Sequence, residues 1–318
     1  MTAKPFRFSI QASATTSGSA WKETARKAES LGFSTLFVPD HYVDAASNGG
    51  QMIAAIPAMA VAAAVTDTLR IGARVFCVDY HHPAVLAKSA ATLDMLSDGR
   101  LELGLGAGWV ASEYEAMGIT LDDAPTRIAR LAEMVDFMKT YFAGETLAVN
   151  GATVRANGFK GQPAPVQQPH PPIMIGGGAR KVLTLAGQVA DIVSFNFDNR
   201  AGFVGPAGVQ SSSANAMDDK ISWVRAGAGD RFDSIELEVG AYFTVVTDDP
   251  MTAAEKMGGM FGLSAPEMLD HPNALMGSVS DICDRLVARR ERYGFSYVSV
   301  SDRNMDAFAP VVAQLAGT

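Results

Sequence analysis

Residues 70–118, RIGARVFCVDYHHPAVLAKSAATLDMLSDGRLELGLGAGWVASEYEAMG, constrain the fold more than any other part of the chain. Leu69, Ile71, Val75, Phe76 and Val78 form a β-branched and aromatic run with the composition of a strand. His82-Pro83 then opens a helix, because proline fits a first helical turn where its missing N–H is no loss. Val85, Leu86, Leu93 and Leu96 keep the helical period, and Ser97-Asp98-Gly99 ends it with turn chemistry. Leu101, Leu103 and Leu105 make a second strand in which they alternate with Gly104 and Gly106, with Gly108 following in step. Glycines so placed mark a close approach to the backbone. One continuous stretch thus supplies a strand, a crossover helix, a parallel strand and a Gly-rich loop, which is a βαβ unit with its working edge attached.

The same alternation runs through the rest of the chain. Phe6, Phe8 and Ile10 alternate with polar residues as a first strand, a Ser/Thr/Gly-rich loop follows at 13–19, and a helical face from Trp21 to Leu31 stops at Gly32. Residues 35–38 read as a short buried strand with Pro39-Asp40-His41-Tyr42 just past its end, and 53–66 as an Ala- and Met-rich helix. Helices are expected over 126–142, 180–188, 214–226, 252–262, 279–292 and 306–316, and strands over 173–175, 191–196, 235–246 and 295–300. Residues 144–172 lack helical period and read as an extended insertion with a hairpin, while 199–213 read as a mobile loop over a site. Eight strands interleaved with helices imply a parallel sheet, and their number fits one closed α/β domain over 1–318, a (β/α)8 TIM barrel. Function in such a barrel sits on the loops after the strand C-termini, here Gln11, Asp40-His41, 77–82, 106–109, 176–180 and Asn196.

Composition removes several classes of partner. Twenty-six Lys and Arg against thirty-four Asp and Glu give a net charge of −8 with no basic cluster, which argues against nucleic acid and anionic membrane as partners. The chain has no run of apolar residues that reads as a membrane span or a secretory signal, so a cytoplasmic protein is expected. Two cysteines, Cys77 and Cys283, are too few for a disulfide framework and read as buried apolar residues.

Chemistry concentrates in a few places. Gly176, Gly177 and Gly178 stand between a strand and a helix, where backbone N–H groups and the helix dipole favour a phosphate; a tight strand-to-helix turn would need the same glycines. No Gly-Lys-Ser/Thr follows, so this is not a nucleotide P-loop. His41, beside Asp40, could move a proton or hydrogen-bond a cofactor ring, or be tied to a carboxylate for structure alone. His81-His82 look like a metal pair, but adjacent histidines do not converge on one ion and no further ligand stands at metal spacing, so no metal is expected. His170 and His271 lie beside prolines in loops and read as surface residues, and Asp98-Gly99-Arg100 as a turn with Arg100 structural. No Gly-x-Ser-x-Gly elbow is present.

Several segments together carry a resemblance. LGFSTLFVPDH at 31–41, HPAVLAK at 82–88, ATLD at 91–94, SDGR at 97–100, GLGAGW at 104–109 and PIMIGGG at 172–178 resemble, in order and spacing over nearly the whole chain, the luciferase-like monooxygenase family. Within it the chain most resembles the deazaflavin (coenzyme F-420)-dependent oxidoreductase branch. The resemblance implies a luciferase-like TIM barrel, usually dimeric, that holds a flavin-type cofactor above its strand C-termini. It implies a cis non-prolyl peptide against the cofactor ring near Arg74-Val75, with Ala73, Ala107 and Gly108 also at the cofactor, the phosphate at Gly176, Gly177 and Gly178, and Asp40 and His41 near the reactive ring. Sugar-phosphate dehydrogenases of the branch carry an acidic proton donor just after the Gly-x-Gly of the fourth strand, and here Trp109 stands in its place. That departure argues against sugar-phosphate oxidation by that route. Trp109 would instead wall an apolar substrate pocket with Gln11 and Asn196 or stack on the cofactor ring, and Glu113, one helical turn on, is a substitute acid.

The expected activity is therefore hydride transfer between coenzyme F-420 and a small, apolar or conjugated substrate, with His41 as catalytic residue. An FMN-dependent monooxygenase using reduced flavin and O2 is the alternative, and a barrel that binds a flavin-like ligand without turnover a third reading. A homodimer is expected from the resemblance and from the apolar helices at 53–66 and 83–96, whose faces could equally pack against the barrel itself.

Overall fold

Short runs of buried aliphatic and aromatic residues make the strands, as a parallel sheet covered on both faces requires. A computed structural model describes residues 4–42 and 50–318. Its main strands are β1 Arg7–Gln11, β2 Thr35–Val38, β3 Arg70–Ala73, β4 Leu101–Gly106, β5 Ile173–Gly177, β6 Ile192–Phe195, β7 Glu236–Gly240 and β8 Phe295–Ser301. Every residue of β2, β4 and β6 is buried. Each strand is followed by a principal helix: α1 Gly18–Ser30, α2 Ala55–Ala63, α3 Pro83–Leu96, α4 Ala124–Phe142, α5 Arg180–Val189, α6 Ala214–Ala228, α7 Val279–Tyr293 and α8 Met305–Leu315. In the sheet the strands run β5-β6-β7-β8-β1-β2-β3-β4, and β5 returns to pair with β4, so the parallel sheet closes into the (β/α)8 barrel. The closing register sets Ile173 against Leu103 and Ile175 against Leu105.

The insertion at 144–172 does hold an antiparallel hairpin, Thr146–Asn150 with Arg155–Lys160. Two expectations need correction. The predicted strand 235–246 is two strands: after Gly240 the chain leaves the barrel, and Phe243–Val246 pairs in parallel with Ala274–Gly277. Apolar residues continue across the break, so periodicity could not find it. The stretch 199–213 is not a bare loop, because Pro206–Gln210 is helical and Val209 is fully buried. Short helices Ala111–Met117 and Ala265–Asp270 were not anticipated.

The chain divides into two compact units, Met1–Ala12 with Lys27–Thr35 and Gly176–Thr318, and Ser13–Arg26 with Leu36–Ile175. In the second unit Arg100 is structural as expected, donating to the carbonyls of Ser97, Leu69 and Ala63 and to the Thr66 hydroxyl. The β4 glycines are also explained there. A Cβ on Gly104 would lie 2.0 Å from the Ala73 carbonyl oxygen, and one on Gly106 would lie 2.5 Å from Val75 Cγ2. What comes close to this strand is the chain's own backbone at the end of β3. Cys77 and Cys283 are buried free thiols, and burial pushes the Cys77 thiol up to about 11.

In the first unit His271 corrects the surface reading: it is only 1% exposed. Its Nε2 donates to the Val209 carbonyl at 2.9 Å and its Nδ1 accepts the Asn273 N–H at 3.1 Å, so the neutral imidazole is tied at both nitrogens. Burial lowers its pKa to about 4. The unfolded chain takes up this proton near pH 6.5 and the folded chain resists it. The stabilising contribution is therefore complete above pH 6.5 and lost as pH falls towards 4, on the order of 3 kcal/mol in total. Thermal unfolding between pH 4 and 8 should show a steeper acid decline for the wild type than for His271→Gln; parallel profiles would refute this assignment.

Candidate functional site

In the second unit the segments after β2, β3 and β4 converge. Pro39 ends β2, and Asp40 and His41 follow it with their side chains set to different tasks. Asp40, 7% exposed, accepts the Cys77 N–H at 3.1 Å and faces His81 Nε2 at 2.8 Å. It fastens the loop after β3, and its histidine partner is His81, not the adjacent His41. His41 Nδ1 instead lies 3.1 Å from both carboxylate oxygens of Glu113. An ionised carboxylate only accepts hydrogen bonds, so against it Nδ1 carries the proton and Nε2 is the nitrogen that Glu113 does not engage. The His41 side chain is 35% exposed and that of Glu113 only 2%.

Glu113 is on the short helix Ala111–Met117, which starts directly after the Gly-rich end of β4. It also accepts the Tyr42 N–H at 2.8 Å and the Tyr80 hydroxyl at 3.2 Å. Burial raises the Tyr80 and Tyr114 hydroxyls well above their ordinary range, so both stay protonated as donors. Tyr114 donates to Asp79, which also pairs with Arg130 at 2.6 Å. Gly108 adopts φ +73°, and a Cβ there would meet the Tyr114 hydroxyl at 1.8 Å. Trp109 stands edge-on to His41, with ring centroids 6.0 Å apart at 87°. The peptide bond Arg74-Val75 is cis, at the position the resemblance implied; Ala73 and Arg74 are buried and Val75 half-buried. A half-buried imidazole held by a buried carboxylate beside an indole wall can accept a proton at Nε2, or deliver one when doubly protonated, to a flat or apolar molecule.

In the first unit β5 runs into the glycines and then α5. Gly176 and Gly177 are half-buried and Gly178 is buried. Ala179 precedes α5 without a side-chain cap, and Arg180 and Lys181 occupy its first turn. The Asn196 N–H donates to the Gly177 carbonyl at 2.9 Å. A Cβ on Gly178 would fall 2.1 Å from the Phe197 carbonyl oxygen, so only glycine fits. Gln11 closes β1 opposite Ser301. Among the described residues no group of three or more His, Cys, Asp or Glu is arranged to hold a metal ion, and no helix is long and apolar enough to cross a membrane.

Residues 3–258 match the model of the luciferase-like monooxygenases. The chain belongs to the luciferase-like monooxygenase family. An F-420-dependent glucose-6-phosphate dehydrogenase of Nakamurella multipartita is 32% identical over 60% of this chain and 56% of its own length. An FMNH2-dependent dimethylsulfone monooxygenase of Pseudomonas putida is 25% identical over 65% of this chain and 53% of its own. The chain thus spans about half the length of the curated relatives it matches. The structure of an F-420-dependent secondary alcohol dehydrogenase in complex with an F-420-acetone adduct superposes with a TM-score of 0.77 at 17% identity, over 98% of this chain and 99% of the other, and bears out the barrel.

For this luciferase-like chain the anticipated positions fall into two groups. Asp40, His41, Ala73, Arg74, Val75, Ala107, Gly108 and Trp109 lie in the second unit, and Gln11, Gly176, Gly177, Gly178 and Asn196 in the first. Glu113, raised from the sequence only as a substitute acid, is His41's partner. Tyr80 and Lys220 were missed. Lys220 reads in sequence as an ordinary helix-surface lysine, and nothing in its spacing reveals that it is buried.

Proposed function

We propose that this protein is an oxidoreductase that moves a hydride between the deazaflavin coenzyme F-420 and a small organic substrate, with His41 as its proton-handling residue. The observation that carries this reading is the His41 imidazole seated on the buried Glu113 carboxylate. In the reductive direction, starting from His41 protonated at both nitrogens against the Glu113 carboxylate, the substrate carbon gains a hydride and its heteroatom takes the Nε2 proton, which leaves the Nδ1–H tautomer; in the oxidative direction that neutral ring accepts the proton at Nε2 as the hydride leaves. When bound, the coenzyme supplies the hydride-carrying carbon. Glu113 fixes the tautomer and orientation of His41, and Trp109, with Gln11 and Asn196, is assigned to the substrate. Asp40, Ala73, Arg74, Val75, Ala107 and Gly108 are assigned to the coenzyme ring.

Gly176, Gly177 and Gly178 are assigned to the coenzyme phosphate. Their fit rests on the uncapped start of α5, a helix of ten residues, and on Arg180 and Lys181 in its first turn. Cations there oppose the helix dipole, and a bound anion offsets that cost. The dehydrogenase relative supports F-420, while the Pseudomonas putida relative supports FMN as the second reading.

Equilibrium binding of the purified protein to F-420 and to FMN, followed by fluorescence quenching, separates these readings. Micromolar or tighter F-420 binding with weak FMN binding is expected. The reverse preference would overturn the hydride-transfer reading and make oxygen uptake with reduced FMN the next assay. We also propose a cytoplasmic homodimer built on α2 and α3, where Val61, Val85, Met95 and Leu96 are exposed; light scattering tests its mass.

A further inference from the structure

Lys220, on α6, is 1% exposed and takes no part in the proton chemistry above. Its Nζ donates to the Asn196 carbonyl at 2.6 Å and to the Ser212 hydroxyl at 2.5 Å. Ser212 Oγ lies 3.2 Å from the same carbonyl, so ammonium, hydroxyl and carbonyl form a closed triangle at the end of β6. Both acceptors are uncharged. Burying an ammonium on neutral hydrogen-bond partners is expensive, and burial brings its pKa down to about 7 against the opposing attraction of the Asp198 carboxylate. A methionine of similar length would fill the same space without that cost.

The triangle is built onto the glycine turn. The Asn196 N–H donates to the Gly177 carbonyl at 2.9 Å, and a Cβ on Gly178 would lie 2.5 Å from the Asn196 oxygen that Lys220 holds. One carbonyl oxygen therefore separates the buried ammonium from the backbone of the turn. A neutral side chain could also brace this backbone; only the protonated lysine adds a positive charge behind it, a form that the nearby Asp198 carboxylate favours.

We propose that Lys220 is a positioning residue for the phosphate of the bound coenzyme, holding the Asn196-Phe197 backbone against Gly177 and Gly178 and placing a buried positive charge behind the turn. The proposal rests on the assignment of the coenzyme phosphate to Gly176, Gly177 and Gly178.

The test compares the affinity of the full-length protein for F-420 and for its phosphate-free deazaflavin alcohol, by fluorescence quenching. Lys220→Met should remain folded, with a thermal midpoint at pH 7 no lower than wild type. It should bind F-420 at least about tenfold more weakly and the phosphate-free alcohol within about twofold of wild type, since loss of one charge-assisted interaction corresponds to roughly tenfold or more. Ser212→Ala, which removes one corner of the triangle, should shift F-420 affinity in the same direction by a smaller factor, and it decides the matter if Lys220→Met does not fold. Equal weakening towards both ligands, or no change towards F-420, would overturn the role of Lys220. A wild type that binds both ligands equally would overturn the phosphate assignment itself.

Discussion

His41→Ala is expected to lower kcat by about 10²–10⁴-fold, the range of a positioned general acid or base, while the Kd for F-420 stays near the wild-type value. The side chain removed is the one assigned the proton, and the coenzyme is assigned mainly to backbone at the glycines and at the end of β3. Glu113→Gln makes a sharper test because it keeps size and burial. The amide offers one acceptor oxygen where the carboxylate offered two, and its NH2 cannot accept from Nδ1, so the ring is free to take the wrong tautomer. A fall in kcat of at least about tenfold is expected, by the logic that governs carboxylate-oriented histidines. Steady-state turnover at saturating coenzyme and substrate, with Kd measured separately, distinguishes this from lost binding. A His41→Ala enzyme within twofold of wild-type turnover would remove His41 from catalysis. A Glu113→Gln enzyme that lost coenzyme affinity and kept kcat would make Glu113 a scaffold of the binding edge instead.

The order of strands and helices was legible because each obeys a local rule: Pro83 at the first turn of α3, Gly32 after α1, and the buried runs of β2, β5 and β6. The break after Gly240 was not, because Val239, Ala241 and Phe243 are apolar on both sides of it. For the candidate site, the resemblance pointed to particular loops, but the pairings within them depend on tertiary approach. Asp40 lies next to His41 in sequence and bonds His81, while His41 reaches 72 residues along the chain to Glu113. A carboxylate one turn into a short helix looks the same in sequence whether it faces solvent or an imidazole. Lys220 shows the same limit for charge, since a lone lysine on an amphipathic helix carries no sign of its burial.

Gly104→Ala should be among the most damaging single-methyl substitutions in the chain. Its Cβ would sit 2.0 Å from the Ala73 carbonyl oxygen and 3.1 Å from Val75 Cγ1. The obstacle is backbone on an adjoining element, and Ala73 has no exposed surface through which to retreat. The next residue is held as well, because the Arg74 N–H donates to the Val38 carbonyl. The strands must part to admit the methyl, at a cost of about 3 kcal/mol, the upper end for an overpacked core. Gly106→Ala should cost less, since it meets the Val75 methyl at 2.5 Å and not a carbonyl. Gly259→Ala provides the control. It lies at the exposed end of the helix Pro250–Gly259 with nothing within 4 Å of its Cβ, so it should be neutral or stabilising by up to about 1 kcal/mol. Thermal and urea unfolding of the three variants should rank them Gly259→Ala, Gly106→Ala, Gly104→Ala in falling stability, and a Gly104→Ala midpoint equal to that of Gly259→Ala would contradict the packing argument. Because Ala73 and Val75 are among the residues assigned to the coenzyme ring, any Gly104→Ala protein that folds should also bind F-420 more weakly, which ties the β4 glycines to the site through the backbone they admit.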